Sequence, residues 1–273
     1  MPELPEVEVV RRDLDAETAG QRVDSVTVTG QRSVRRQDTA EFAGRLRGTV
    51  LGRAGRVGKY LLVPLDGGPG TLVVHLRMSG QLLLRQPADP RARHTHVVLS
   101  LSDGRELRFV DPRTFGEMFV TDDTGAALAG VGPDPLDPAW SEERLAAALH
   151  GRAARLKLLL MDQRRIGGLG NIYSDEALFD AGLRFDRPAG TLRDGDVMRL
   201  HRAIGTTLRA AVEHRGSSLA DEGYVDLYGR PGGYRAHHRV YGREGQPCPR
   251  CGEPVRRFRV GGRSTFLCEA CQP

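Results

Sequence analysis

The sequence predicts an α+β protein of two differently built parts, closed by a short cysteine-rich hairpin. Three observations predict it. Alternating, β-branched runs crowd residues 23–121, helical periodicity takes over after about residue 140, and all four cysteines stand in two CxxC pairs near the end. At 273 residues, 39% hydrophobic and 27% charged, the chain has material for two ordinary domains and is no disordered polymer.

Pro5 to about Glu17 reads as a helix, with Val7, Val10 and Leu14 on one side, a proline suited to the first turn and Gly20 to end it. Strands are expected at Val23–Thr29, Thr49–Val57, Lys59–Pro64, Thr71–Leu76, Gln81–Leu84, His96–Leu101, Arg105–Val110 and Glu117–Thr121, with Asp103-Gly104 as a hairpin turn. Residues 1–121 thus predict a helix followed by a two-layered antiparallel β-sandwich or flattened barrel. Residues 122–140, rich in Gly, Asp and Pro, read as a linker. Helices follow from Ser141 to about Arg152, at Leu156–Gln163, at Asn171–Ala181 before Gly182, and from Asp194 to about Arg215 before Gly216. The helical domain is expected over 141–234 and the hairpin over 235–273, with Val255–Val260 and Ser264–Leu267 flanking Gly261-Gly262.

The four cysteines form Cys248-Pro-Arg-Cys251 and Cys268-Glu-Ala-Cys271, sixteen residues apart. That spacing lets four thiolates surround one zinc ion, and a four-thiolate site has no open position, so the zinc is expected to be structural. Disulfides or a redox CxxC are the alternatives. The acidic, proline-interrupted start is no secretory signal, and apolar runs such as Leu61–Leu65 and Leu158–Met161 are far too short to span a bilayer, so an intracellular, soluble protein is expected. Formal charge is +5, and residues 235–273 alone hold eight Arg, no Lys and three acids. A basic tail on a neutral body suits a polyanion, although a solvated face has the same composition.

Two residue choices stand out. Of forty basic residues only Lys59 and Lys157 are lysine. Arginine replaces lysine at most surfaces but cannot lose its proton or mimic a compact ammonium. Pro2 becomes a secondary amine if Met1 is removed. With an α-amine pKa of about 7.7–8.0 it is partly neutral near pH 7 and able to attack an electrophilic carbon. Glu3 beside it and Glu6 one turn on suit proton transfer, although the same residues are also ordinary helix-opening chemistry.

The opening Met1-Pro2-Glu3-Leu4-Pro5-Glu6-Val7-Glu8 resembles that of bacterial formamidopyrimidine-DNA glycosylases. Gly58-Lys59-Tyr60-Leu61-Leu62, His75-Leu76-Arg77-Met78-Ser79-Gly80, Asp111-Pro112-Arg113-Thr114-Phe115-Gly116, Gly170-Asn171-Ile172-Tyr173 and the four-Cys ribbon continue the likeness in order along the chain. Leu4 favours this branch over the related endonuclease VIII branch.

The resemblance implies a bifunctional base-excision repair enzyme, a DNA glycosylase and abasic-site lyase that removes oxidised purines (8-oxoguanine and formamidopyrimidines) from double-stranded DNA containing an oxidised base and cuts the strand by β,δ-elimination. It also implies a bacterial cytoplasmic, nucleoid-associated monomer that needs no redox cofactor. In it Pro2 attacks the sugar C1′ and forms a Schiff base, Glu3 moves protons at the sugar oxygen, Glu6 supports, and Lys59 contacts phosphate and assists. Met78, Arg113 and Phe115 match void-filling residues for an everted base. Asn171 and Arg263 match phosphate grips, and Lys157 matches a lysine near the damaged base or its phosphates. Gly167–Asn171 resembles the turn of a helix–two-turn–helix, and Ser217–Tyr234 the loop that caps the everted base. His94/His96 and His237/His238 read as structural. Thr114 stands where many relatives carry Arg, which touches a backbone contact and not the wedge. An endonuclease VIII-like preference for oxidised pyrimidines and a non-catalytic zinc-ribbon nucleic-acid binder are the alternatives.

Overall fold

In the computed structural model, residues 1–67, 70–219 and 223–273 are described. The chain forms two compact units: Met1–Ala129 with His214–Gly233, and Gly130–Glu213 with Tyr234–Pro273. The α+β class, with a sandwich, a helical part and a zinc-type hairpin, is as expected.

The first unit opens with helix α1 (Leu4–Thr18), followed by β1 (Val23–Val28), α2 (Thr39–Leu46), β2 (Val50–Leu51), β3 (Gly55–Val57), β4 (Tyr60–Asp66), β5 (Thr71–His75), β6 (Gln81–Arg85), β7 (Thr95–Leu101), β8 (Glu106–Val110), β9 (Glu117–Thr121) and α3 (Thr124–Leu128). One sheet has the order β1-β7-β8-β6; the other runs β2-β4-β5-β9, with β3 also on β4. Their inner faces bury Val26, Leu61, Val63, Leu72, Leu82, Leu99, Leu107 and Phe109 in a single core, which α1 joins through Val7, Val10 and Leu14. Apolar burial of this kind stabilises by about 25 cal/mol per Å². The expected strand Thr49–Val57 is split, because Gly52 donates to Pro64 O and Ala54 to Asp15 on α1. Two short helices were not expected. Asp38 caps α2 at Glu41 N–H and Asp123 caps α3 at Ala126 N–H, the latter inside the stretch read as linker. Both are short, and a few buried residues leave little periodic signal.

His214–Gly233 packs in this unit, although the sequence reading gives it to the helical domain. Leu84 N–H donates to Leu227 O, Tyr228 Oη to Glu17, and Arg215 bridges Asp13 on α1 to Asp226.

The second unit contains α4 (Glu142–Leu149, capped by Ser141), α5 (Leu156–Leu160), α6 (Asn171–Ala181, ended by Gly182) and α7 (Asp194–Glu213), then strands β10 (Arg256–Val260) and β11 (Arg263–Leu267). α6 packs on α7 and on β11. The hairpin turns at Gly261 and Gly262, whose φ of 55° and 78° favour glycine. Among the described residues no helix is long and apolar enough to cross a membrane.

Candidate catalytic corner and nucleic-acid interface

Met1 is exposed, whereas every residue from Pro2 to Val10 is buried. Glu3 and Glu6 form a reciprocal capping box at the start of α1, with Glu3 N–H donating to Glu6 Oε2 at 2.7 Å. Glu6 Oε1 accepts Ser217 N–H at 2.8 Å, so one carboxylate ties the start of α1 to the base of the 214–233 segment. Gly216, with φ of 78°, is what makes room: a Cβ there would lie 2.9 Å from Glu6 Cγ and Oε1.

Lys59 sits, largely buried, at the turn between β3 and β4, a hairpin on which α1 packs. The turn is braced from α1: Glu8 pairs with Arg56 at 3.1 Å, and Arg56 Nη1 donates to Gly58 O at 2.8 Å. Burial pushes the Glu8 carboxyl up, but Arg11, Arg12 and Arg56 overcome it and hold it at about 2. Sequence reading missed Glu8 and Arg56; a three-arginine grip on one helical acid has no local signature. His75 ends β5 with its ring edge-on to Tyr60 and its Nδ1 accepting Arg77 N–H at 2.9 Å. Burial, with Arg77 and Lys59 nearby, pulls its pKa down to about 3, so it is neutral at pH 7.

Met78 and Phe115 are 41% and 48% exposed, and Arg113 is exposed with its guanidinium 5.0 Å from the Phe115 ring centroid. None of the three is core. One fully buried carboxylate organises the two loops that carry them: Asp111 accepts Ser79 Oγ–H at 2.5 Å, Arg113 N–H at 3.2 Å and Gly116 N–H at 2.6 Å. Thr114 takes a φ of 54° in this loop. His96 Nε2 meets Asp111 O at 2.8 Å and His238 Nδ1 meets Tyr241 O at 3.2 Å, bonds of structural kind.

In the second unit Gly170 precedes α6, and Gln163 shapes the glycine turn by accepting Gly168 N–H and donating to Leu169 O. The Asn171 amide donates to Ser264 O at 3.1 Å and Tyr241 Oη at 3.3 Å, linking α6 to the hairpin that exposes Arg263. Lys157, expected beside the damaged base or its phosphates, is instead fully buried. No part of its side chain reaches solvent; its ammonium pairs with Asp175 at 2.7 Å and donates to Thr265 Oγ1 and Ser264 O at 2.9 and 3.3 Å. Asp175 also accepts Phe266 N–H, and its neighbour Glu176 accepts the N–H groups of Arg239, Val240 and Tyr241. Burial pushes the Asp175 carboxyl up to about 7 against the pull of Lys157. An ammonium enclosed in this way reaches no phosphate; it holds the hairpin on α6. Of the loop Ser217–Tyr234, residues 220–222 lie outside the described residues; Ser218 Oγ donates to Tyr224 O and accepts Gly232 N–H.

The four cysteines converge, all Sγ atoms lying within 4.8 Å of one another. Sulfurs about 2.3 Å from a central zinc are about 3.8 Å apart along a tetrahedron's edge. Cys248 and Cys271 are 3.9 Å apart and Cys251 and Cys268 3.4 Å, so the thiolates fit one ion.

Residues 1–118 match the formamidopyrimidine-DNA glycosylase N-terminal domain, 131–222 the formamidopyrimidine-DNA glycosylase H2TH domain, and 245–273 the zinc finger found in FPG and IleRS. A formamidopyrimidine-DNA glycosylase of Pelotomaculum thermopropionicum is 44% identical over 276 residues, covering 100% of this chain and 99% of its own. The chain belongs to the formamidopyrimidine-DNA glycosylase family. A second such relative, from Moorella thermoacetica, is 46% identical over 95% of each chain. Among solved members of the family, the MutM (Fpg) protein of Thermus thermophilus superposes with a TM-score of 0.89 at 41% identity, covering 99% of this chain and 98% of that one. Wild-type Lactococcus lactis Fpg in complex with N7-benzyl-Fapy-dG DNA gives 0.91 at 30% identity and 99% of each chain.

Proposed function

We propose that the protein is a base-excision repair DNA glycosylase and abasic-site lyase that removes oxidised purines, formamidopyrimidines and 8-oxoguanine, from duplex DNA. The observation that carries the chemistry is the start of α1, where Pro2 immediately precedes two buried, mutually bonded glutamates. Once Met1 is removed, the Pro2 nitrogen attacks C1′, the C1′–N bond breaks, and the base departs with its electron pair and a proton. Glu3 delivers a proton to the ring oxygen, which opens the sugar and leaves an iminium on Pro2. The iminium acidifies C2′–H; loss of that proton gives an enamine that expels the 3′-phosphate with the C3′–O electron pair, and loss of the C4′ proton then expels the 5′-phosphate with the C5′–O pair, cutting the strand on both sides. Lys59 offers an ammonium to the phosphate beside the lesion, and Glu6 holds the start of α1 in place.

The base must leave the stack at a cost of a few kcal/mol. Met78 and Phe115 supply apolar surface for the void and Arg113 a donor for the orphaned partner base. Asn171 and Arg263 hold backbone phosphates. Zinc on Cys248, Cys251, Cys268 and Cys271 keeps the hairpin folded and supplies no reaction chemistry. The protein acts as a monomer in the bacterial cytoplasm, at the nucleoid where its substrate is. Borohydride should trap a covalent adduct between the protein and a duplex containing 8-oxoguanine. An added residue ahead of Pro2 should abolish both the adduct and strand cutting, and full activity in that extended protein would overturn the assignment. Faster release of oxidised pyrimidines than of oxidised purines would move the substrate to the endonuclease VIII class.

A further inference from the structure

One face of α1 is fastened to the chain leading into and through β3. Asp15 accepts Ala54 N–H at 2.9 Å, Arg11 Nη1 donates to Ala54 O at 3.3 Å, and Glu8 pairs with Arg56 at 3.1 Å. Residues 8, 11 and 15 are three and four apart, so they share one side of the helix. The Glu8 rung differs from the other two in what lies beyond it. Arg56 is the middle residue of β3, and its side chain is only 7% exposed. Its Nε faces Glu8, and its Nη1 donates to Gly58 O at 2.8 Å. The guanidinium therefore joins α1 to Gly58-Lys59, the two residues that turn the chain between the paired Val57 and Tyr60.

Gly58 O lies in the same planar peptide unit as Lys59 N. Holding that oxygen fixes the plane from which the Lys59 side chain departs. Lysine is a point charge on a flexible stem, so the direction of its root decides where the ammonium reaches. At the other end of the bridge, Glu8 stands about 7.5 Å along the helix axis from Glu3, the residue after Pro2. One rigid helix thus sets the place of the Pro2 end and, through Glu8 and Arg56, the place of the lysine. We propose that, given the phosphate contact assigned to Lys59, Glu8 and Arg56 are positioning residues that aim its ammonium at the phosphate beside the lesion and hold it in register with Pro2.

Arg56→Met keeps an apolar stem and deletes both contacts. It does not orphan Glu8, which Arg11 and Arg12 still hold at 2.9 and 2.8 Å. Arg56→Lys is the second variant: it keeps the charge beside Glu8, but one ammonium cannot span Glu8 and Gly58 O. The zinc-loaded full chain is titrated at several salt concentrations with a duplex carrying a reduced abasic-site analogue that cannot be cut. Loss of one phosphate contact lowers the slope of log affinity against log salt by about 0.9. Lys59→Met should show that loss and both Arg56 variants most of it. The Arg56→Met/Lys59→Met double variant should lose no more than Lys59→Met alone, because both residues serve one contact. Single-turnover release of 8-oxoguanine at saturating enzyme should fall about tenfold or more in both Arg56 variants. Arg53→Met, whose 88% exposed side chain pairs with Asp15, removes the same charge nearby and should alter neither measurement. An unchanged slope in both Arg56 variants beside a reduced one in Lys59→Met would overturn the proposal and leave Lys59 in its role. A loss of about 1.8 in the double variant would overturn it by making Arg56 a phosphate contact of its own. Equal losses from Arg53→Met would overturn it by reducing the effect to surface charge, and an unchanged slope in Lys59→Met would remove the contact that is to be aimed.

Discussion

The wedge loops of the first unit and the C-terminal hairpin of the second both hold exposed side chains in fixed places, by opposite means. Met78, Arg113 and Phe115 stand on loops gathered by one buried carboxylate, Asp111, at the edge of a two-sheet core. Arg256, Arg257, Arg259 and Arg263 stand on a two-stranded hairpin whose own apolar cluster is little more than Phe179, Val240, Val255, Phe266 and two of the cysteines. A large core supports irregular loops through a few hydrogen bonds. An isolated two-stranded hairpin is at best marginally stable, so it needs covalent-strength ligation and side-chain anchors from α5 and α6.

The hairpin should therefore be the easier of the two to break. Cys268→Ser, or chelation of the wild type, should release zinc and remove most affinity for lesion DNA; tight binding by a metal-free protein, checked by metal analysis and gel shift, would contradict this. Next in size, Lys157→Met leaves Asp175 buried without its cation, which should destabilise by about 3–5 kcal/mol in thermal or denaturant unfolding. The same variant should weaken DNA binding through the displaced Ser264–Thr265 edge; unchanged stability would mean that Asp175 takes up a proton at no cost.

Asp111→Asn retains one carbonyl acceptor where three donors converge, so a loss of about 1–3 kcal/mol is expected, together with slower release of the damaged base. Phe115→Ala should separate the wedge from its support. Because the ring is half exposed, stability should change by no more than about 0.5 kcal/mol while excision falls; a large drop in melting temperature would make Phe115 a packing residue.

The last test is one of pH. His75 stays neutral in the folded protein down to about 3, whereas an unfolded histidine takes up a proton near 6.5. Stability should fall as pH drops through that window, by up to about 1.4 kcal/mol per unit from this residue, and His75→Gln should flatten the slope. Glu8, held at about 2, adds loss in the same direction below about pH 4.5, so the variant should reduce the acid dependence without abolishing it.

The elements were legible wherever their signals were local. α1, α6 and most strands fell within one or two residues of the expected bounds because period 3.6 and period 2 are written in consecutive residues. The converging cysteines were legible for the same reason, since two CxxC pairs state both ligand type and number. Pro2, Glu3 and Glu6 were singled out as chemistry, yet nothing in their spacing announced that Glu6 also anchors Ser217, more than two hundred residues away.

By itself, then, the sequence determined the order of the main strands and longer helices, the cysteine ligand set and the family, all of them properties of residue type and short-range spacing. Tertiary structure alone decided that Lys157 is enclosed by Asp175 and Thr265, that Asp111 unites two loops, and that residues 214–233 pack beside α1. Each of these depends on which distant groups share a low-dielectric interior, where an unpaired charge is costly and a paired one becomes a fastener. No stretch of consecutive residues carries that information.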